Sequence, residues 1–344
     1  ILLPRFKNPS NIVQFIQTIQ DVMKAPMLMK DEEVYLSVTF GVSIYPDDIV
    51  AEEDAEILLT RAQLALSQAK SSNNIYNYEF YTFLMNQQAN DQLYMESDIY
   101  KAFENDEFIP YFQPFINLDT GKICGLEALV RRKKTTGEIV LPGEFISILE
   151  ETGLIVEVGM RLIKKICVQI RNWVDHHGFD MPVSINLSPM QFKDKQFFEK
   201  MMEIVKEQGI PPHLLTFEIT ESMLVEDIEQ TKFILNQLKS EGFSLAIDDF
   251  GTGYSSFNYL QEFEIDYLKI DMSFIRDMVE NEADQTIVRA IIMMSEGLNL
   301  GTIAEGVESQ EQLELLKELG CHRGQGYYWD PPLPAEEISI RYFN

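Results

Sequence analysis

From Phe108 onward the chain alternates short apolar runs with helical patterns, and few folds can absorb that alternation. The runs are Phe108–Pro114, Lys122–Arg131, Val183–Leu187, Leu215–Thr220, Phe243–Asp248, Tyr267–Asp271, Thr302–Val307 and Gly324–Trp329. Amphipathic helices fall between most of them: Met160 to Val174, Phe197 to Glu207, Glu229 to Leu238 and Gln310 to Leu319. Such repetition implies parallel strands with helices packed outside them. Eight strands in roughly 240 residues is the size of an α/β (β/α)8 TIM-like barrel. One link breaks the pattern. Only Ile116-Asn117-Leu118-Asp119-Thr120-Gly121 separates the first two runs, whereas a parallel crossover needs about a dozen residues. The first strand is therefore expected antiparallel to the second. A flat doubly wound sheet is the alternative architecture, and it accommodates that opening hairpin poorly.

The barrel is expected over residues 106–344, behind a helical connector at 81–105 rich in Gln, Asn and acids. Residues 1–80 read differently. Asn11–Met23 is helical, Val34–Tyr45 alternates as a strand, Ala55–Lys70 is helical and Ile75–Phe80 is a strand. Two strands are too few for a sheet of their own, so this segment reads as the back half of a small α/β domain.

The formal charge of −27 argues against coating polymeric nucleic acid, which relies on Lys and Arg to neutralise phosphates. It leaves room for a small anionic ligand held through metal ions, because bound cations dominate their local field. Cys124, Cys167 and Cys321 match no disulfide or zinc spacing. Cys167 lies in the stripe Leu162, Ile163, Ile166, Ile170, Trp173 and is expected to pack. A reduced cytoplasmic setting follows. No apolar stretch reaches the roughly 20 residues that span a bilayer, and no signal peptide is visible. Position 1 is Ile rather than Met, so the chain reads as a piece of a longer protein, with any membrane anchor elsewhere.

Asp248 and Asp249 end a strongly apolar run and open the turn Phe250-Gly251-Thr252-Gly253-Tyr254. At about 5 Å and an effective dielectric near 20, two carboxylates repel by roughly 3 kcal/mol. Either a cation offsets that repulsion, or the pair is a helix N-cap with an extra solvated acid. The other strand ends favour a cation. They carry Glu127 with Arg131, Asn186, Glu218, Lys269 with Asp271, Glu305 with Glu308, and Gln325. In a barrel these ends converge on one face. Each has a structural alternative: Glu127 pairing with Arg131 or Arg132, Asn186 or Glu218 or Glu221 as caps, Lys269 pairing with Asp271. Together they would leave a core badly unsatisfied without metals. Oxygen ligands without His or Cys suit Mg²⁺ or Mn²⁺. His176, His177, His213 and His322 fall in helix ends and loops, away from this set.

The order and spacing of these segments resemble an EAL domain, the family of cyclic-di-GMP phosphodiesterases. The matching segments are Glu127-Ala128-Leu129-Val130-Arg131, Asn186-Leu187-Ser188 with Gln191, and Glu218-Ile219-Thr220-Glu221. Asp248-Asp249-Phe250-Gly251-Thr252-Gly253-Tyr254-Ser255-Ser256, Lys269-Ile270-Asp271, Ala304-Glu305-Gly306-Val307-Glu308 and Gln325-Gly326-Tyr327 complete the series. The resemblance implies two divalent ions, Mg²⁺ or Mn²⁺. Glu127, Asn186, Glu218 and Asp248 would hold one; Asp248, Asp249 and Glu305 would hold the other. Lys269 would orient or activate the attacking water, with Glu305 or Asp249 assisting. Gln113, Leu129, Arg131 and Gln325 would contact the nucleotide. The implied activity is metal-dependent hydrolysis of cyclic-di-GMP to linear pGpG, with a non-hydrolysing receptor or signalling scaffold as the alternative. The resemblance also implies a homodimer through the barrel, with the glycine-containing loop after Asp249 coupling metal binding to dimer contacts.

Departures from the family pattern are Val130 for Leu, Pro189-Met190 for a small and basic pair, and Ser309 for Thr. The tail Trp329-Asp330-Pro331-Pro332 replaces the more usual aromatic-Ser-basic-Pro. None removes an expected ligand. The front segment resembles the C-terminal part of a GGDEF domain, through Ile1-Leu2-Leu3-Pro4-Arg5, Val38 to Pro46 and Ala65 to Lys70. Ala62-Gln63 stands for the usual Ala-Asp, and Ser67 for an aromatic. The signature turn of that family is absent from the chain, so no cyclase activity is expected of it.

Overall fold

The computed structural model describes residues 1–3, 9–29, 32–49, 54, 56–71, 77–251, 260 and 262–343. Two compact units divide the chain, Ile1–Asp98 and Ile99–Asn344.

In the first unit, a helix over Pro9–Met23 precedes a hairpin of β1 (Met27–Met29) and β2 (Glu32–Val34). A right-sized β–α–β unit follows: β3 (Phe40–Val42), the helix Glu56–Ser71, and β4 (Tyr78–Phe80) parallel to β3. Gly41 permits the close approach, since a Cβ there would lie 2.0 Å from the carbonyl oxygen of Ala62. The expected single strand Val34–Tyr45 is thus two short ones, because β2 turns back on β1 and only 40–42 reach β4. Pro4, Arg5, Ala55 and Ile75 lie outside the described residues. The helix Phe83–Glu104 runs across the boundary between the units.

The second unit is a closed eight-strand barrel. Its strands are β5 (Phe108–Asn117), β6 (Ile123–Lys133), β8 (Val183–Asn186), β9 (Leu215–Thr220), β10 (Ser244–Phe250), β11 (Tyr267–Ile270), β12 (Gly301–Ala304) and β13 (Arg323–Gly324). A two-residue β7 (Ile139–Val140) pairs with the end of β6. The ring order is β5-β13-β12-β11-β10-β9-β8-β6, closed by β5 on β6. β5 runs antiparallel to both neighbours and every other barrel pair is parallel, so the short opening link has the consequence expected of it. Helices cover the outside. The longest, Leu154–His177, is bounded by left-handed Gly153 and Gly178 and buries Ile163, Ile166, Cys167, Ile170 and Trp173. Burial pushes the Cys167 thiol up to about 12, as fits a packing role.

The last three strands are displaced from their expected ranges. β11 stops at Ile270 because Asp271 caps the next helix, accepting from the backbone N–H of Ser273. β12 ends at Ala304, since Gly306 takes φ 68° and turns the chain away. β13 covers Arg323–Gly324 rather than Gly324–Trp329. Gly326 packs on the Val307 backbone, where a Cβ would meet the carbonyl oxygen at 2.1 Å, and Trp329 folds back with its N–H on the Gly326 carbonyl.

Candidate active site

Registered pairing brings the strand ends together. Gln113 faces Glu127 across β5 and β6, and Asn186 sits level with Glu218 on β8 and β9. Glu218 is level with Ala246, two residues before Asp248 on β10. Residues two apart on a strand point to one face, so Glu127, Leu129 and Arg131 share a side of β6.

Alternation alone forbids Asp248 and Asp249 from both reaching that face. A bulge resolves this: Ile247 pairs with Leu268 and Phe250 with Ile270, so two aspartates oppose the single residue Lys269. Asp249 pays with a left-handed backbone, φ 54°, a region that aspartate tolerates better than most side chains. The result is that ligand oxygens of Asp248, Asp249 and Glu305 lie within 4.8 Å of one another.

Lys269 lies at the centre and is 1% exposed. Its Nζ is 2.6 Å from Glu218 Oε2, 2.7 Å from Glu305 Oε1, 3.0 Å from Asp248 Oδ1 and 3.4 Å from Glu127 Oε1. Burial alone would favour the neutral amine, but Glu127, Glu218, Glu305 and Asp248 hold the ammonium well above the ordinary lysine range. The expected alternative of a Lys269–Asp271 pair is not what forms, because Asp271 is turned to its helix cap. Nor does Glu127 bridge to an arginine. Arg132 pairs with Glu107 at 2.9 Å, and Arg131 donates to the Val130 carbonyl and lies 5.8 Å from the Tyr111 ring centroid.

Glu127 is the best-supported carboxylate. Asn186 Nδ2 donates to its Oε1 at 2.7 Å and Gln325 Nε2 to its Oε2 at 2.7 Å. Burial would raise this carboxyl, but Lys269 and those two amides hold it below its ordinary value. Its neighbours fare otherwise. Burial, then Glu127 and Asp248, push Glu218 well up despite Lys269. Burial, then Asp248 and Glu127, push Glu305 up to about 8. Burial, then Asp248 and Asp271, push Asp249 up to about 6. One ammonium does not balance this many carboxylates, so without further cations the cluster retains protons.

The donor set fits divalent ions. Glu218 Oε1 is buried and has no hydrogen-bond partner, an uncommon state for a buried carboxylate oxygen. The available ligands are oxygens, which suits Mg²⁺ or Mn²⁺. Burial grades across the site: Glu127, Glu218 and Lys269 are buried, Asp248 and Glu305 are half-buried, Asn186 and Asp249 are exposed. Glu308 is exposed and belongs to none of the close contacts above. Gln113 and Gln325 are joined to each other at 2.8 Å. Leu129 is half-buried on β6, opposite Tyr111.

Two features escaped the sequence. Glu221 is no cap; Thr220 holds that position, and Glu221 Oε2 accepts from the backbone N–H of Gly251 at 3.1 Å, tying β9 to the turn after β10. Ser188, rather than Asn186, caps the helix Pro189–Lys193 in a reciprocal box with Gln191, a pattern legible in Ser-x-x-Gln. The loop from Thr252 through Ser256 lies outside the described residues.

A family model described as EAL domain matches residues 96–332. The chain is 38% identical over 316 residues to the signaling protein YkoW of Bacillus subtilis, covering 92% of this chain and 39% of that protein. It is 32% identical over 338 residues to the bifunctional diguanylate cyclase/cyclic di-GMP phosphodiesterase MucR of Pseudomonas aeruginosa, covering 98% and 49%. A solved structure, the PaMucR phosphodiesterase in complex with c-di-GMP, superposes with a TM-score of 0.69 at 36% identity, covering 71% of this chain and 99% of that one. The chain spans about half, or less, of the length of these curated relatives.

Proposed function

The chain belongs to the EAL domain family, and from that premise we propose that its barrel hydrolyses cyclic-di-GMP to linear pGpG, a step that removes a bacterial second messenger. The observation that carries this reading is the bulge on β10, which gathers Asp248 and Asp249 against Lys269 and beside Glu305. Glu127, Asn186, Glu218 and Asp248 would hold one divalent ion, and Asp248, Asp249 and Glu305 a second. Such ions supply Lewis acidity at the phosphoryl oxygens and lower the pKa of an attacking water.

The chain's own residues do the rest. Lys269 keeps a fixed positive charge among the carboxylates and orients the water beside the phosphodiester. Burial and their acidic neighbours favour a proton on Glu305 and Asp249 when no cation is bound. With those protons displaced by divalent ions, either carboxylate would be free to assist in taking the water's proton. Arg131 offers its guanidinium to a phosphate from the β6 face that also carries Glu127. Gln113 and Gln325, hydrogen-bonded to each other beside Glu127, would contact the nucleotide, and Leu129 would lend apolar surface to a base. Homodimerisation through the barrel and a cytoplasmic setting belong to the same proposal. Among the described residues no helix is long and apolar enough to cross a membrane. The first unit is read as the C-terminal part of a GGDEF domain, supported by its β3–helix–β4 unit, with no cyclase activity of its own.

Glu127→Gln tests the site. The variant should fold and still bind cyclic-di-GMP while losing turnover; undiminished hydrolysis would sink the assignment.

A further inference from the structure

A buried chain of hydrogen bonds reaches the site from the C-terminal helix Ala335–Tyr342. We propose that Asp330, gripped by Arg341 and Tyr342 of that helix, is a positioning residue that sets Glu127 through Gln113 and Gln325. The inference rests on the reading of Glu127 as a metal ligand.

The direction of every link is fixed by its ends. Glu127 Oε2, a carboxylate oxygen, only accepts, so Gln325 presents its amide nitrogen at 2.7 Å. The same nitrogen donates its other hydrogen to Gln113 Oε1 at 2.8 Å. Gln113 must then present Nε2 outward, and it donates to the backbone carbonyl of Asp330 at 3.0 Å. A backbone carbonyl cannot reverse its role. Neither amide can therefore flip without breaking two bonds. Gln113, Gln325 and Asp330 are 7%, 4% and 8% exposed, so water offers little substitute.

Asp330 holds the outer end with its other group. Its carboxylate takes Arg341 Nη1 on Oδ1 and the Tyr342 hydroxyl on Oδ2, the latter at 2.5 Å. Burial and the adjacent Asp330 hold the Tyr342 phenol well above its ordinary value, so it remains a donor. The helix that carries both is itself anchored. Ile338 is fully buried and Trp173 Nε1 donates to Ser339 Oγ at 2.8 Å. Between Asp330 and the helix, Pro331 and Pro332 restrict the backbone, and Leu333 exchanges both backbone hydrogen bonds with Phe112, the residue before Gln113. Asp330 stands where the family's usual tail has Ser, so a charged clamp is a property of this chain.

Partners that orient a metal ligand directly, as Gln325 orients Glu127, are typically worth about 10- to 100-fold in metal affinity. The Asp330 clamp, two links further out through Gln113 and Gln325, should retain about 3- to 10-fold of that. The test is Mn²⁺ binding by calorimetry on the full chain, with the Mg²⁺ concentration for half-maximal hydrolysis alongside. Asp330→Ser and Tyr342→Phe should each weaken Mn²⁺ binding by that amount, and their double variant should lose less than the product of the two losses. A merely structural clamp would lower the melting temperature and leave the affinity of the folded protein unmoved. If Asp330→Ser does not fold, Tyr342→Phe decides. Mn²⁺ binding within twofold of the parent in the latch variants, with a loss in Glu127→Gln, overturns the latch alone. Parental binding in Glu127→Gln as well overturns the assignment of Glu127.

Discussion

In the absence of metal the barrel should lose stability as pH rises from mildly acidic to mildly alkaline, the reverse of ordinary acid denaturation. Glu305 is held up to about 8 from an ordinary 4.5. Above the unfolded value the unfolded chain has released this proton while the native state keeps it. The stability this group contributes is therefore complete below its unfolded pKa and is lost as pH climbs through its folded one. Each such group is worth about 1.4 kcal/mol per pH unit inside the window, so Glu305 alone should cost about 2 kcal/mol between about pH 6 and pH 7.5. Glu218 is raised as well and works in the same direction. Glu127, held low, acts only below its ordinary value, and Lys269, held high, acts only above its own. Divalent ions replace the protons and add binding energy to the native state, so excess Mg²⁺ should cancel or invert the slope. Urea unfolding followed by tryptophan fluorescence, at the two pH values and with or without Mg²⁺, measures this. Glu305→Gln should flatten the metal-free slope. Metal-free stability that is constant or rises over this window would refute the reasoning.

Three substitutions probe the same face. Lys269→Met leaves the buried carboxylates without their shared cation and should destabilise the metal-free barrel by about 3–5 kcal/mol in urea titrations; Mg²⁺ should recover much of the stability and none of the turnover. Gly326→Ala places a Cβ 2.1 Å from the Val307 carbonyl oxygen, so thermal melts should report a loss of about 1–3 kcal/mol, with hydrolysis lowered through displacement of Gln325. Gln191→Leu removes the amide that donates to the Ile155 carbonyl at 2.8 Å and accepts from the Ser188 N–H at 2.8 Å. It should cost about 1–3 kcal/mol, and Mg²⁺ titration of activity should show weaker binding because Asn186 leads into that cap.

The barrel was legible because its signal is local and repeated. The hairpin link at Ile116–Gly121 fixed the sense of β5 by length alone, and the polar residues gathered at the mouth were readable as ends of apolar runs. Two kinds of feature were not. The short strands β12 and β13 end where Gly306 and Gly326 let the backbone turn or approach another segment, which periodicity does not encode. The bulge at Asp248 and Asp249 depends on how β10 meets β11, so alternation would have sent one aspartate outward. Long-range links were equally hidden: Gln113 and Asp330 are 217 positions apart, and nothing near either residue announces the other. Lys269 beside Asp271 suggested a local pair, yet its partners come from four other strands or their ends.

The most direct measurement is product identification after incubating the chain with cyclic-di-GMP and Mg²⁺ or Mn²⁺, with and without chelator. Linear pGpG formed with metal and absent with chelator is the expected result. Recovery of intact cyclic-di-GMP that nonetheless co-purifies with the protein, or hydrolysis undiminished by chelator, would contradict a two-metal phosphodiesterase built on Asp248 and Asp249.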